Sequence, residues 1–164
     1  MSDCGQSLRL LQALNDENQD IINDCIKHAS VKQWINDNVS VKLITNPRIK
    51  FVDDFVSITC LCYASRYSTP GVMQQLVQAG ADVTVTDSWQ QTPLHWACAS
   101  DFDIKDRVEY LLGCDASLFK ARSKYNNTVE RRLSHSSITD TNKCRFSAKI
   151  CIFSRIFSLY VMKT

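Results

Sequence analysis

Apolar residues recur along the chain at the spacing of amphipathic helices. Positions i, i+3 and i+4 are apolar in two pairs of segments, first at 8–14 and 21–26 and later at 94–98 and 108–112. Such a stripe predicts a helix that buries one face. Each pair therefore predicts two helices that pack on each other and need a neighbouring pair to cover the rest of their apolar surface.

A longer period relates the segments in the middle of the chain. Residues 54–65 align with residues 87–98 at a constant offset of 33, so that Asp, Thr, Leu and Ala recur in register. Downstream, residues 72–82 align with residues 107–117 at an offset of 35. A period between about 20 and 50 residues indicates an array of repeated supersecondary units.

These repeats resemble the ankyrin-repeat family. The family signature T-P-L-H-x-A stands intact at 92–97, an L-L pair follows at 111–112, and the family's G-A-D turn occurs at 80–82. The resemblance covers residues 54–121. It implies an all-α solenoid of helix-turn-helix units with β-turn tips. It also implies a protein-protein interaction module that is not an enzyme and needs no cofactor.

The residue types at the ends of the predicted helices fit this fold. Thr92 can cap a helix, and Pro93 suits its first position because that residue needs no N–H and has a helical φ. Gly80 follows a predicted helix where a positive φ is wanted. Asp115 occupies the matching place in the later repeat, so we expect a left-handed residue there as well.

The repeats divide the chain into five segments. The predicted organisation is a degenerate N-terminal capping repeat at 1–30, an inserted connector with a short helix at 31–52, ankyrin repeats at 53–86 and 87–121, and a basic tail with an aborted repeat start at 122–164.

Charge is distributed unevenly between the body and the tail. Residues 1–121 hold 10 Lys or Arg against 15 Asp or Glu, whereas residues 122–164 hold 9 against 2. An acidic body argues against nucleic acid as the main partner. No secretory signal and no uncharged apolar run of about 18 residues is found, so we expect a protein of the cytoplasm or nucleus without a transmembrane segment. We also expect this protein to be a monomer.

Histidine and cysteine side chains are the candidates for chemistry. His95 stands at the family's histidine position, which the resemblance assigns to a bond with the neighbouring turn instead of catalysis. The eight cysteines are interpreted as reduced, buried apolar residues. Cys60, Cys62, Cys98 and Cys114 allow a zinc site as an alternative, but their spacing is not C-x2-C.

The resemblance places partner binding on the concave surface formed by the β-turn tips and the first helices. Aromatic residues and arginine, which often dominate interface energies, cluster at these positions. The predicted partner-binding residues at the tips are Phe55, Val56, Ile58, Trp89 and Gln91. Those on the exposed face of the first helices are Tyr63, Arg66, Tyr67, Trp96 and Ser100.

Two function classes remain open from the sequence. The first is an adaptor or inhibitor that holds another protein on the concave surface. The second is a regulatory module whose basic tail contacts acidic partners or a membrane surface. Within that tail, Ser134 follows Arg131-Arg132-Leu133 and is a possible phosphorylation site for a basophilic kinase.

Overall fold

The computed structural model describes residues 4–40, 57–100, 102–129 and 131. The described residues form seven α-helices and a two-stranded sheet. The helices are α1 (Cys4–Asn15), α2 (Gln19–Lys27), α3 (Val31–Trp34), α4 (Cys60–Tyr67), α5 (Pro70–Gln78), α6 (Pro93–Cys98) and α7 (Ile104–Cys114). The strands are β1 (Val39–Ser40) and β2 (Ser57–Ile58), and a 3₁₀ helix (Ala116–Lys120) follows α7.

The helices pack in antiparallel pairs that stack in series. Helix α1 packs on α2, α4 on α5, and α6 on α7, while the first helices α1, α4 and α6 lie side by side. Strands β1 and β2 are antiparallel, with Val39 opposite Ile58. This arrangement confirms the predicted all-α solenoid, and α3 is the short helix expected after residue 30.

Threonine side chains begin the helices of the middle unit. Thr59 Oγ1 accepts the N–H of Cys62 at 3.2 Å, and Thr69 Oγ1 accepts the N–H of Val72 at 3.4 Å. Each bond satisfies one of the amide groups that a helix leaves without a partner at its N-terminus. Proline stands at the first turn of α5 and of α6, as it does in many helices.

Burial is greatest in the central helices. The residues of α6 are all buried, and so are residues 60–65 of α4. Helix α4 lies between α1 and α6, so side chains on both of its lateral faces are covered. A first helix in the middle of a short stack therefore offers little exposed surface.

Two predicted turn conformations have different outcomes. Gly80 has a φ of 109°, as expected for a glycine after a helix. The expectation for Asp115 is wrong, because its φ is −151° and its backbone is extended. The Asp115 carboxylate accepts the N–H of Ser117 at 2.8 Å and begins the 3₁₀ helix. An N-terminal cap needs this extended backbone and has no need of a left-handed residue.

The first turn of a further unit follows the 3₁₀ helix. The N–H of Ser123 donates to the oxygen of Asn127 at 3.1 Å, as the N–H of Asp87 donates to that of Gln91 at 3.0 Å one unit earlier. In both turns the residue before the acceptor has a positive φ, 56° and 57°. The repeat start predicted at residues 127–128 is therefore formed as a turn, and it leads into helical residues at Val129, which is buried.

No helix in the described parts of the chain is long and apolar enough to cross a membrane.

Candidate functional site

Successive turns form a continuous edge along one side of the stack. Ser88 N–H donates to the oxygen of Ser57 at 2.9 Å, and Lys124 N–H donates to the oxygen of Trp89 at 2.8 Å. Together with the pairing of β1 and β2, these bonds link the described turns in series. We call this edge the tip row and define it as residues 39–40, 57–58, 88–90 and 124–126.

Asp87 organises the central turn of the tip row. One carboxylate oxygen accepts the N–H groups of Trp89 and Gln91, both at 2.8 Å. The other accepts the indole N–H of Trp96 at 2.9 Å. Asp87 is itself buried, so the carboxylate and the indole satisfy each other away from solvent. The expectation that Trp96 is exposed is therefore wrong, since only 3% of the residue is accessible.

Three other residues expected on the concave surface are also buried. Tyr63 donates its hydroxyl to Asn15 Oδ1 of α1 at 3.1 Å, because α1 covers this face of α4. Ser100 is enclosed in the loop after α6, with its hydroxyl 3.0 Å from the oxygen of Arg66. Gln91 points inward from its turn. The expected exposure of these residues is wrong.

Ile58 is likewise absent from the surface. Its side chain is fully buried, and its backbone pairs with Val39 in the small sheet. Side chains alternate between the two faces of a strand, so a residue at a tip can point into the core as easily as outward. Phe55 and Val56, the other two predicted tip residues of this unit, lie outside the described residues.

The remaining predicted binding residues are partly exposed. The guanidinium of Arg66 lies 5.1 Å from the centre of the Tyr67 ring and 5.9 Å from that of Trp96. At these distances a cation is attracted to the ring faces. Arg66 therefore helps to cover Trp96. Trp89 is half-buried at the tip row, where its main-chain oxygen holds the next turn.

The sequence interpretation missed the exposed residues of the last turn. Tyr125 is 62% exposed and lies between Lys124 and Asn126, which are also exposed. The signal was the order Ser-x-x-Asn-Asn-Thr at 123–128, which matches Asp-x-x-Gln-Gln-Thr at 87–92. Ser134 and the rest of the basic tail lie outside the described residues.

His95 joins two consecutive units. Its Nδ1 accepts the N–H of Thr92 at 3.2 Å, and its Nε2 lies 3.1 Å from the oxygen of Asn127. Because a carbonyl oxygen can only accept, the proton is on Nε2. Both ring nitrogens are engaged and the residue is fully buried. The predicted structural role of His95 is confirmed.

Most of the described cysteines are packed in the core. Cys25, Cys60, Cys62 and Cys98 are buried, whereas Cys114 is exposed and departs from the prediction. Burial raises the pKa of the Cys62 thiol to about 12 and also raises that of Cys60. Within the described ranges, no group of three or more His, Cys, Asp or Glu side chains is placed to hold a metal ion.

Comparison with known proteins identifies the family. A search of curated proteins finds no match to the chain. A family model described as ankyrin repeats in three copies matches residues 27–121, which are more than half of the chain. Ankyrin repeats are generally protein-protein interaction modules and are typically not enzymes. The stacked helix pairs and this match together show that the chain belongs to the ankyrin-repeat family.

Proposed function

We propose that this protein binds a partner protein along the tip row and acts as an adaptor or inhibitor. The observation that carries the proposal is a hydrogen-bonded edge with exposed side chains. Ser88, Gln90, Lys124 and Tyr125 are exposed there, next to the half-buried Trp89. Among these residues, Tyr125 offers the largest accessible aromatic surface, and aromatic residues of this kind anchor many protein interfaces.

The main-chain bonds of the tip row favour tight binding. Residues 57, 88, 89 and 124 are held by bonds between neighbouring turns before any partner arrives. A surface that is already ordered loses little conformational entropy on association. Most of the favourable free energy of the contacts with a partner therefore contributes to affinity.

Charge at the last turn favours a partner with acidic residues. Arg122 and Lys124 are exposed and precede the exposed Tyr125 by three residues and one residue. The guanidinium of Arg122 is held at the last turn by a 2.7 Å bond to Asn126 Oδ1. Complementary charges increase the rate of association and discriminate against basic proteins.

The experiment uses the full chain with a photo-reactive phenylalanine analogue in place of Tyr125. Irradiation in a cell extract should cross-link a partner protein, which mass spectrometry identifies. The same analogue at the exposed Phe102, which lies in the loop after α6, is the control position. The proposal predicts a product from position 125 and none of the same mass from position 102.

Affinity measurements with the purified cross-linked protein then test the surface. Tyr125→Ala and Lys124→Glu should each raise Kd about tenfold or more, a typical effect for an interface anchor. Phe102→Ala should leave Kd within a factor of two. Equal affinity of all three variants would show that the partner binds elsewhere and would refute the proposal.

A further inference from the structure

A cavity of about 340 Å³ opens where the first helices end. Helices α4 and α6 begin directly after the tip row and end at Tyr67 and Cys98, so this cavity lies at the other end of the first helices. It is lined by the loops that join the two helices of each pair, including Glu17, Ser68 and Asp103. We call it the loop pocket. Its volume falls within the range of small ligand sites.

The walls of the loop pocket include apolar side chains, one of which is an exposed aromatic ring. Leu14, Ile22 and Val72 contribute aliphatic surface, and Tyr67 and Phe102 contribute rings. Phe102 is 69% exposed. A phenylalanine on the rim of a cavity keeps a large apolar area in water, which a bound apolar side chain would remove.

The exposed charges around the loop pocket are mainly acidic. Glu17 and Asp103 line it and are exposed. Asp16, which adjoins Glu17 in the sequence, and Asp106, which follows Asp103 by three residues, are exposed as well. The exposed base nearest in sequence to Asp103 is Lys105, which pairs with Glu109 at 4.0 Å. The acidic residues at this end of the stack therefore favour a partner that carries positive charge.

A buried arginine at the loop pocket retains hydrogen-bonding capacity. Arg107 is 3% exposed and directs four N–H groups at the main-chain oxygens of Ala64, Ser65, Ser68 and Phe102. Three of these oxygens lie at the C-terminal end of α4, whose negative partial charge offsets the guanidinium. A guanidinium has five N–H groups. No described residue accepts from the fifth, which belongs to Nη2.

A second buried polar atom adjoins this arginine. The hydroxyl oxygen of Ser68 is buried and has no hydrogen-bond partner among the described residues. Buried polar atoms in proteins are nearly always satisfied, so two such groups lining one cavity point to a ligand that carries hydrogen-bonding atoms of its own. A main-chain carbonyl of a peptide can accept from the Arg107 Nη2 group, and a peptide can also bond the Ser68 hydroxyl.

We propose that the loop pocket is a second binding site, which takes a short basic peptide segment of a partner protein. An apolar side chain of the segment packs against Phe102 and Tyr67. A neighbouring lysine or arginine lies beside Glu17 and Asp103, and a main-chain carbonyl accepts from Arg107. The site is separate from the tip row, so one chain can hold two proteins whose charges have opposite signs.

Fluorescence anisotropy with the full chain tests this site. The probe is a fluorescein-labelled hexapeptide of alternating lysine and leucine, and the control probe has glutamate in place of lysine. We expect the lysine probe to bind, to weaken as salt is raised, and to bind at least tenfold tighter than the glutamate probe. Equal affinity for the two probes would overturn the proposal.

Variants locate the bound probe. Phe102→Ala and the double variant Glu17→Gln, Asp103→Asn should each raise Kd at least fivefold, because each removes one of the three proposed contacts. Tyr125→Ala changes an equally exposed aromatic residue of the tip row and should have no effect. Loss of binding in none of the variants would contradict the loop pocket and leave the tip-row proposal untouched. Loss in Tyr125→Ala alone would contradict the loop pocket and also the preference of the tip row for acidic partners.

Zero-length cross-linking identifies the natural class of occupant. A carbodiimide should join the carboxylate of Glu17 or Asp103 to a probe lysine. Without the probe, these carboxylates should stay unlinked. Cross-links to Lys143, Lys149 or Lys163 of the same chain, or a cross-linked dimer, would show that the chain itself fills the pocket and would overturn the proposal.

Discussion

The Nε2 of His95 donates to the main-chain oxygen of Asn127 across 3.1 Å, so that a side chain of α6 fixes the turn of the following unit. The same imidazole accepts from Thr92 at the start of its own helix. One buried ring therefore sets both the beginning of α6 and the position of the last turn in the tip row.

Replacement of His95 should destabilise the protein and loosen the last turn. In His95→Ala the buried N–H of Thr92 loses its acceptor, which costs about 1–3 kcal/mol, while the oxygen of Asn127 loses one donor and keeps the N–H of Ser123. Urea unfolding measures the loss. The control is His28→Ala, since His28 is exposed and its removal should change stability by less than about 0.5 kcal/mol. Similar midpoints for the two variants would exclude this role.

Stability should depend on the interface between helix pairs. Leu94 and Leu111 are both fully buried in the common core. Leu94→Ala or Leu111→Ala should lower the free energy of unfolding by about 2–5 kcal/mol, because each creates a cavity and every unit relies on its neighbours. Phe102→Ala at the exposed rim is the control. A melting temperature within one or two degrees of the parent would contradict serial stacking.

The fold could be predicted because its determinants are local. The Thr92-Pro93 helix start and Gly80 each follow from the residue and its immediate neighbours, and the repeat period shows that the same local pattern occurs again. The role of His95 came from the family signature, whose T-P-L-H order places the imidazole one turn beyond the threonine that it bonds. These features are preserved when the number of units changes.

The exposed surface could not be predicted because it depends on what lies beside each helix. Trp96 and Tyr63 stand at positions that the family resemblance predicts on the concave face. Here the indole is held by the buried Asp87, and the tyrosine hydroxyl by Asn15 of the neighbouring helix pair. Neither bond connects residues closer than nine positions in sequence, so helical periodicity gives no sign of either.

Arg107 should contribute more to stability than a charged residue normally does. Arg107→Met removes the guanidinium donor from the oxygens of Ser65 and Ser68, while the oxygen of Ala64 keeps the N–H of Ser68, and we expect a loss of about 2–4 kcal/mol. Urea unfolding is again the measurement. Lys105→Met removes an exposed charge from the same helix and should be nearly neutral. Equal stability of the two variants would show that the carbonyls do not need Arg107.

Buried thiols should make the protein less stable at alkaline pH. Below pH 9 the Cys62 thiol is protonated in both states, but burial raises its pKa from 9.0 to about 12 in the folded protein. Between these values the unfolded chain releases a proton that the folded chain keeps. The free energy of unfolding should therefore fall as pH rises, by about 1.4 kcal/mol per pH unit from this group.

The test of this pH dependence compares the parent with Cys62→Ser. Serine does not titrate in this range, so urea midpoints measured from pH 8 to 11 should fall less steeply in the variant. The exposed Cys114 supplies the matched control, because its side chain is not enclosed in the core, and Cys114→Ser should keep the parent's slope. Identical slopes for Cys62→Ser and the parent would contradict the prediction.

Glycine substitutions should have opposite effects at two turn positions. Gln90 has a φ of 57° in the central turn of the tip row, a conformation that costs free energy for a residue with a Cβ. Gln90→Gly should therefore raise the free energy of unfolding by up to about 1 kcal/mol.

Asp115 has an extended backbone, and its carboxylate accepts the N–H of Ser117. Asp115→Gly removes this hydrogen bond and relieves no strain, so it should lower stability by a few tenths of a kcal/mol or more. Thermal unfolding of both variants distinguishes the two positions. A stabilised Asp115→Gly beside a destabilised Gln90→Gly would mean that the left-handed residue lies after α7 and that the tip turn has a different backbone.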